Sequence, residues 1–360
     1  MEKKVLVAMS GGVDSSLAAA LLLEQGYEVI GATLRLWPEE LCKYEGNNRL
    51  CCSARDIEDA RAVATRLGVP FYVLNVVREF DEKVIEYFCN EYENGLTPNP
   101  CIVCNEEIKF GTLLRKAMEL GIDYVATGHY ARVEYNSDTH RYIIREGNDP
   151  FKDQSYVLYR LTQNQLAHIL LPIGDYTKKE VRRKSKELGL NVHDKPDSQE
   201  LCFVIDDDLK AFLRLRLRDK ASPGLILNKE GKVLGKHSGV CFFTVGQRKG
   251  LGLAGGEPLY VLRIDKENNA IIVGNKEDRK SRELVACDLN WVSIEGLEGS
   301  RAVKAKIRYS HPKDDAVISN IQGGVKVEFL MPQESPAPGQ AVVFYEDDIV
   351  IGGGWIRPSA

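Results

Sequence analysis

No run in this 360-residue chain approaches the roughly 18 uninterrupted apolar residues of a membrane span. The start, MEKKVLVAMSGGVDSS, holds an apolar run of only about five residues, too short for the core of a secretory signal. Biased tracts and internal repeats are absent, which excludes low-complexity and solenoid classes. A large positive charge is missing too: the net charge is −4, so the whole surface does not advertise a polyanion partner. Nor do the cysteines form an even set. There are nine (Cys42, Cys51, Cys52, Cys89, Cys101, Cys104, Cys202, Cys241, Cys287), which argues against a disulfide framework and toward catalysis, metal binding or packing. These absences leave a cytoplasmic protein of enzyme size, long enough for two or three domains.

What charge there is lies unevenly. Residues 1–100 carry ten Lys/Arg against sixteen Asp/Glu, a balance of −6 that leaves +2 for the remainder. Basic runs occur at 178–186 (KKEVRRKSK), 210–220 (KAFLRLRLRDK) and 278–282 (DRKSR). A polyanion would have to bind there, although such runs more often form solvated faces.

Strand and helix patterns alternate through the first half. KKVLVAM (3–9) reads as a strand, DSSLAAALLLEQG (14–26) as a helix stopped by Gly26, and YEVIGATL (27–34) as a strand. A helix at 53–68, a strand at 70–77, helices at 80–93 and 105–121 and a strand at 122–128 continue the order. Segments 153–161 and 177–190 read as further helix. This order predicts an α/β fold with a parallel sheet covered on both faces. After about residue 208, short β segments separated by Gly and Asn-Lys turns predict antiparallel hairpins and small barrels. The expected division is 1–207, 208–282 and 283–360.

The segment MSGGVDSS (9–16) joins the first strand to the first helix. Its glycines allow a tight turn and close approach of a ligand. Ser10, Ser15 and Ser16 offer hydroxyls, and the helix N-terminus offers free N–H groups and a positive dipole end, a combination suited to phosphate. The loop has no lysine, so it is not a G-x-x-x-x-G-K-[ST] loop, nor is it G-x-G-x-x-G. Cys101 and Cys104, three apart in TPNPCIVCNEEIKFG, form the second feature. With a helix expected from Asn105, Cys104 would sit at its N-terminus, where a thiolate is favoured. Cys202 lies in KPDSQELCFV, ahead of a short apolar run. Cys241 and Cys287 fall in strand-like patterns and read as core residues.

S-G-G-x-D-S after a first strand resembles the loop of the PP-loop ATP pyrophosphatases, which cleave ATP between the α and β phosphates and adenylate a substrate. AMSGGVDSS, TPNPCIVCNEEIKFG, ATGHYAR, KDQSYVLYRL, KPDSQELCFV, FTVGQRKGLG and KIRYSHP occur in the order of the tRNA-specific 2-thiouridylase family. The resemblance covers essentially the whole chain. It implies an N-terminal adenine-nucleotide α-hydrolase-like (PP-loop) domain, a small central domain and a C-terminal antiparallel β-barrel. It also implies ATP-dependent 2-thiolation of the wobble uridine of tRNA, with ATP and Mg²⁺ as cofactors and tRNA and a sulfur-donor protein (a cysteine desulfurase or sulfur relay protein) as partners.

Residue by residue, the resemblance makes Ala8, Met9, Ser10, Gly11, Gly12, Val13, Asp14 and Ser15 the ATP loop, with Leu34 and Gly128 on the adenine side. It makes Cys104 the nucleophile and Cys202 the persulfide carrier, and places Asn99, Pro100 and Cys101 at the target base. His129, Lys152, Asp153, Gln154, Arg308, Tyr309 and Gln340 match positions that touch tRNA. Taken alone, His129 reads more simply as a structural histidine. Many members have Asn-Pro-Asp at the target base; here Cys101 replaces the aspartate, which leaves the general acid or base unassigned. That replacement also makes Cys101, Cys104 and Cys202 a candidate ligand set for a [4Fe-4S] cluster with one open iron. A structural zinc would need a fourth ligand such as Cys51 or Cys52. Two other readings stand beside thiolation: a PP-loop enzyme amidating or ligating a small molecule, and a non-catalytic, nucleotide-dependent RNA-binding protein.

Overall fold

The computed structural model describes residues 2–37, 54–196, 201–204, 208–217, 220–253 and 257–358. Its first layer is a parallel sheet in the order β3-β2-β1-β4-β7, built from β1 (Lys4–Ala8), β2 (Glu28–Arg35), β3 (Phe71–Asn75), β4 (Tyr124–Ala126) and β7 (Ile169–Leu170). Val5 pairs with Val29 on one side and Tyr124 on the other, so β1 is central and its KVLVA run is buried on both faces. One face packs on helix Val13–Glu24 through Val5, Val7, Leu17, Ala18 and Leu21. That helix is apolar nearly all round, as a helix enclosed by neighbours must be. The opposite face, with Leu6, Ala32 and Leu34, joins a larger core that includes Phe80, Phe88, Ile102 and Phe110.

Two helical runs cover that second face. One is formed by Val77–Phe80, a wider π turn at Asp81–Ile85, and Glu86–Glu93. The other is formed by Pro100–Val103, a π-type stretch at Cys104–Thr112, and Leu113–Glu119. The second run begins five residues earlier than the sequence pattern suggests. Proline suits the first helical position because its missing N–H has no partner to lose there, and Pro100 occupies it. Cys104 therefore lies within the helix, not at its free end. The segment 153–161, read as helix, contains only a short 3₁₀ turn at Ser155–Leu158. Tertiary contacts override its helical pattern: Tyr156, Tyr159 and Leu158 are fully buried, and the Tyr156 hydroxyl donates to the Ala341 carbonyl at 2.9 Å.

The central region holds helix Leu209–Leu217 and a four-stranded sheet in the order β10-β11-β8-β9, from β8 (Gly224–Asn228), β9 (Val233–His237), β10 (Tyr260–Asp265) and β11 (Ala270–Gly274). The C-terminal strands are β12 (Lys280–Trp291), β13 (Ser300–Lys306), β14 (Asp314–Ile321), β15 (Gly324–Glu334), β16 (Ala341–Glu346) and β17 (Ile349–Ile356). They run β12-β15-β14-β13-β16-β17, and the β12–β17 pairing closes the ring. Closure leaves the ring without a free edge. A hairpin of β5 (Ala131–Asn136) and β6 (Arg141–Glu146), from the first half of the chain, attaches to β17 through Ile349 and Arg145. Asp348 fastens it by accepting from Arg132 at 2.8 Å and Arg145 at 2.7 Å. The N-terminal half and the barrel thus share one seam, which the sequence pattern did not disclose.

The basic stretch at 210–220 works within this architecture. Arg216 pairs with Asp81 at 2.6 Å, Lys220 pairs with Glu93 at 2.7 Å, and Arg214 lies over the Phe242 ring at 5.8 Å. It joins the central region to the first domain, and Arg218 lies outside the described residues. Gly353 marks how tightly the seam packs: a Cβ there would come within 2.6 Å of the Val342 carbonyl and 2.8 Å of the Tyr159 ring. Gly353→Ala is expected to destabilise the protein by about 1–3 kcal/mol, read as a lower midpoint in thermal or urea unfolding.

Candidate active site

The loop after β1 sits where helix crossovers leave the sheet in opposite directions, the position at which open α/β sheets bind ligands. Gly11 turns it with φ +71°, and a Cβ at Gly11 would lie 2.2 Å from the Asp56 carbonyl. Gly12 caps helix Val13–Glu24, whose first-turn amides have no partners within the helix. Gly128, just beyond β4, presses on the same turn: its Cβ would fall 2.6 Å from the Ser15 nitrogen and 2.9 Å from Asp14 Cβ. Ser15 Oγ accepts from the Ser10 amide at 3.2 Å, and Thr33 Oγ1 donates to the Met9 carbonyl at 2.6 Å. Ala8 ends β1, Met9 and Val13 are buried beneath the turn, and Leu34 is buried at the end of β2. The expected ATP-loop residues and Gly128 are therefore gathered at one edge, with hydroxyls, amides and a cradle that a side chain would fill.

The loop's missing lysine is supplied from elsewhere. Lys178 Nζ reaches both Asp14 carboxylate oxygens, at 2.9 and 2.7 Å, and the Tyr130 hydroxyl donates to Asp14 Oδ1 at 2.6 Å. Lys195 Nζ donates to the Gly11 carbonyl at 3.0 Å and pairs with Asp56 and Asp59 at 2.7 and 2.6 Å. Burial works against the Lys195 charge, but these two carboxylates outweigh it and hold its pKa above the ordinary value. Sequence reasoning counted Lys178 within a basic face and quoted Lys195 and Tyr130 in motifs without a role. Nothing in the local pattern reveals contacts across more than a hundred residues.

Cys101 is exposed in the first turn of the helix at Pro100–Val103, and Cys104 is half-buried where that helix widens into its π stretch. Such widenings recur at functional sites. Gln165 Nε2 donates to the carbonyls of Glu106 and Phe110, at 3.2 and 2.9 Å, in this stretch. Next to Cys104, Asn105 is 1% exposed; its Nδ2 donates to the Val157 carbonyl at 3.1 Å. Cys202 occupies a turn anchored by Phe203, whose ring meets Phe80, Phe88 and Phe212 at 6.1, 4.9 and 5.4 Å. Cys104 and Cys202 both pack against the core that lies under Leu6, Ala32 and Leu34. Among the described residues, however, no three His, Cys, Asp or Glu side chains form a group that could hold a metal, Cys101, Cys104 and Cys202 included. The arrangement does not fit the [4Fe-4S] ligand set. Cys51 and Cys52 lie outside the described residues.

The residues matched to tRNA contacts divide by burial. His129 is 6% exposed; Thr127 Oγ1 and His129 Nδ1 are 2.6 Å apart, and Phe110 lies 6.0 Å from the ring. Asp153, also 6% exposed, accepts from the Gly147 amide, the Ser155 amide and the Ser155 hydroxyl. Gln154 Oε1 accepts from the Tyr130 amide at 3.0 Å, linking this loop to the tyrosine that holds Asp14, and Lys152 beside it is half-buried. Arg308 donates to the Glu334 and Ser335 carbonyls, and Gln340 donates to those of Thr97 and Pro98. Tyr309 is 41% exposed; partial burial, then Asp153 and Cys101, push its hydroxyl up to about 12.

Three family models match in succession. They are described as a tRNA methyl transferase HUP domain over residues 3–206, a tRNA methyl transferase PRC-barrel domain over 210–275 and an aminomethyltransferase beta-barrel domain over 281–356. The tRNA-specific 2-thiouridylase MnmA of Acetivibrio thermocellus is 54% identical over 360 residues, covering 99% of each chain. The protein of the same name from Heliobacterium modesticaldum is 54% identical, covering 99% of this chain and 93% of its own length. That from Clostridioides difficile is 49% identical, covering 100% and 99%. A solved 4-thiouridine synthetase–RNA complex with bound ATP aligns at a TM-score of only 0.35 and 14% identity, over 61% of this chain and 51% of that one, and carries no argument.

Two expectations follow from the geometry. Gly128→Ala forces the loop backbone to move, and should lower stability by about 1–3 kcal/mol and weaken ATP binding by calorimetry. The second concerns pH. Burial, with Lys109 adding to it, holds the His129 imidazole well below its ordinary value, so the folded state keeps it neutral. The unfolded chain takes up that proton below about pH 6.5, so stability is full above this value and falls as pH drops. His129→Gln should flatten that fall in stability between about pH 7.5 and 5.5, an effect on the order of 1 kcal/mol measured by urea unfolding at each pH.

Proposed function

The chain belongs to the tRNA-specific 2-thiouridylase family, and from that premise we propose that it is an ATP-dependent sulfurtransferase acting on the wobble uridine of tRNA. The family models' descriptions speak of methyl transfer and the relatives' names of thiolation; the relatives align over nearly the whole chain at about half identity, and the reading follows them. One observation carries it. The phosphate turn follows β1, whose Leu6 enters the extended core that also takes in Cys104 and Cys202, two thiols distant in sequence, at its periphery. The proposal divides the work among residues 1–207, 208–282 and 283–360, with the barrel and the turn at Asn99-Pro100-Cys101 meeting the tRNA.

In this reading ATP lies against residues 8–15, with Leu34 and Gly128 on its adenine side. The uridine is drawn out of its stack so that its 2-oxygen reaches the α-phosphate. Attack there forms the adenylated base and expels pyrophosphate. The helix amides and the Ser10 and Ser15 hydroxyls meet the charge that develops on the leaving group, with the ammonium groups of Lys178 and Lys195 close by. Mg²⁺, when bound, would neutralise phosphate charge beside this turn, where Asp14, Asp56 and Asp59 are the nearby carboxylates, each paired with a lysine. A donor protein loads sulfur onto Cys202 as a persulfide. The terminal sulfur attacks C2, the C2–O bond breaks and AMP leaves. The Cys104 thiolate then attacks Cys202 Sγ, the S–S bond to the transferred sulfur breaks, and the base keeps that sulfur and regains a proton at N3. The resulting Cys104–Cys202 disulfide is reset by a dithiol reductant. No step requires an iron–sulfur cluster.

Incubation with ATP, tRNA and a sulfur source should yield 2-thiouridine on nucleoside mass analysis, with AMP formed only when tRNA is supplied. Cys104→Ala and Cys202→Ala should each lower product at least about a thousandfold, and the double variant should be no worse than either alone, because the two thiols act as a unit. A small-molecule ligase would keep turnover in both variants. A binding protein would take up tRNA without making AMP.

A further inference from the structure

The motif FTVGQRKGLG (243–252) takes no part in the chemistry above. It forms a loop of the central region, between a 3₁₀ turn at Val240–Phe242 and β10. Hydrogen bonds hold this loop in one shape. The Gly246 amide donates to the Val261 carbonyl at 2.8 Å, and the Val261 amide donates to the Gln247 carbonyl at 2.9 Å. The Gln247 side chain spans the turn, accepting from the Thr244 amide at 3.1 Å and donating to the Lys249 carbonyl at 2.8 Å. Gly250, at φ +76°, makes the reversal that a side chain would strain, and buried Leu251 pins the far end in the core.

What the loop presents is positive charge. Arg248, Lys249 and Gly250 are exposed in succession. Lys210, at the start of the helix Leu209–Leu217, comes to the same place: a Cβ at Gly250 would lie 3.1 Å from Lys210 Nζ, which sits 5.4 Å from the Phe243 ring centre. Among the described residues, none of Arg248, Lys249 and Lys210 pairs with a carboxylate. Arg216 and Lys220, of the same basic stretch as Lys210, are both paired. Asp208, two residues before Lys210, accepts from the Ala211 amide at 2.9 Å. The amides of Arg248, Lys249 and Gly250 also meet no acceptor among the described residues. Cations left without a carboxylate, beside free amides and a glycine, suit oxyanions that approach the backbone closely.

We propose that the loop at 246–252, together with Lys210, docks the sugar–phosphate backbone of tRNA through Arg248, Lys249 and Lys210. Three cations side by side match successive phosphodiesters better than one small anion. The loop also packs against the barrel, where a Cβ at Gly246 would lie 3.1 Å from Ser335 Cβ, whereas the phosphate turn lies at the edge of the parallel sheet. Contacts of this kind position a nucleic acid and carry no base readout. The proposal rests on the reading above for its partner alone; it needs none of the thiolation steps.

The full-length double variant Arg248→Ala/Lys249→Ala tests it, with Arg248→Lys/Lys249→Arg as the partner that keeps the charge. Binding of tRNA and of ATP is measured for each between about 50 and 200 mM salt. In the alanine pair the tRNA Kd should rise about tenfold, and the slope of log Kd against log salt should fall by about 1.5, since each lost phosphate contact removes about 0.7–0.9. Lys210→Ala should lower the slope by about half as much. The charge-keeping pair should stay within about twofold of the parent, and ATP binding should be unchanged throughout. A tRNA Kd and salt slope equal to the parent's would overturn the proposal while leaving the reading above intact. Weakened ATP binding with tRNA binding unchanged would make the loop a nucleotide site and overturn it too. A parent that binds no tRNA at low salt would overturn the proposal and that reading together.

Discussion

Backbone meets backbone at the C-terminal edge of the parallel sheet with no space for a side chain between. Gly128 touches Asp14 and Ser15, and Gly11 touches the Asp56 carbonyl; a methyl group at either would fall within 3 Å of main-chain atoms. This closeness fixes the turn after β1 so that the first-turn amides of the helix at Val13–Glu24 face outward as a preorganised anion site. Preorganisation is what lets such dipoles stabilise developing charge without rearranging during the reaction. Asp14, Tyr130 and Gln154 then carry the same rigidity outward to the loop beyond the β5–β6 hairpin.

Charge is arranged by the same logic. The phosphate turn contains no lysine, yet two ammonium groups converge on it from the segment around Lys178 and from the approach to Cys202 at Lys195. Lys195 ties the phosphate turn to the stretch that leads toward Cys202. The basic helix at Leu209–Leu217, in contrast, is bound to the first domain through the Arg216–Asp81 pair and the contact of the Phe212 ring with Phe88. A basic run read along the sequence is an electrostatic resource whose use is decided by what folds against it.

Much of the architecture was legible because it is local. The apolar run of β1, the glycine-stopped helix after it and the hairpin rhythm beyond residue 208 each follow from periodicity and turn chemistry. SGGVDSS could be read as an anion-site candidate because the chemistry and the spacing lie in one short segment. What escaped reading is non-local. Segment 153–161 is not a helix because Tyr156 and Tyr159 are drawn into the seam. The hairpin that joins β17, the lysines at the phosphate turn and the Gln340 hydrogen bonds to Thr97 and Pro98 all link residues more than a hundred apart. The substitution of Cys101 for a carboxylate was visible at once. Its setting in the fold, exposed in the first turn of the helix at Pro100–Val103, was not.

The account stands on Cys104 and Cys202 serving one reaction powered from the phosphate turn. The most direct test is to quench the protein during turnover, block free thiols and map cysteine linkages by peptide mass. A Cys104–Cys202 disulfide that accumulates only when ATP, tRNA and a sulfur source are all present is the predicted result. Product formation with both thiols remaining unlinked throughout, or the same linkage forming equally without ATP and tRNA, would contradict it.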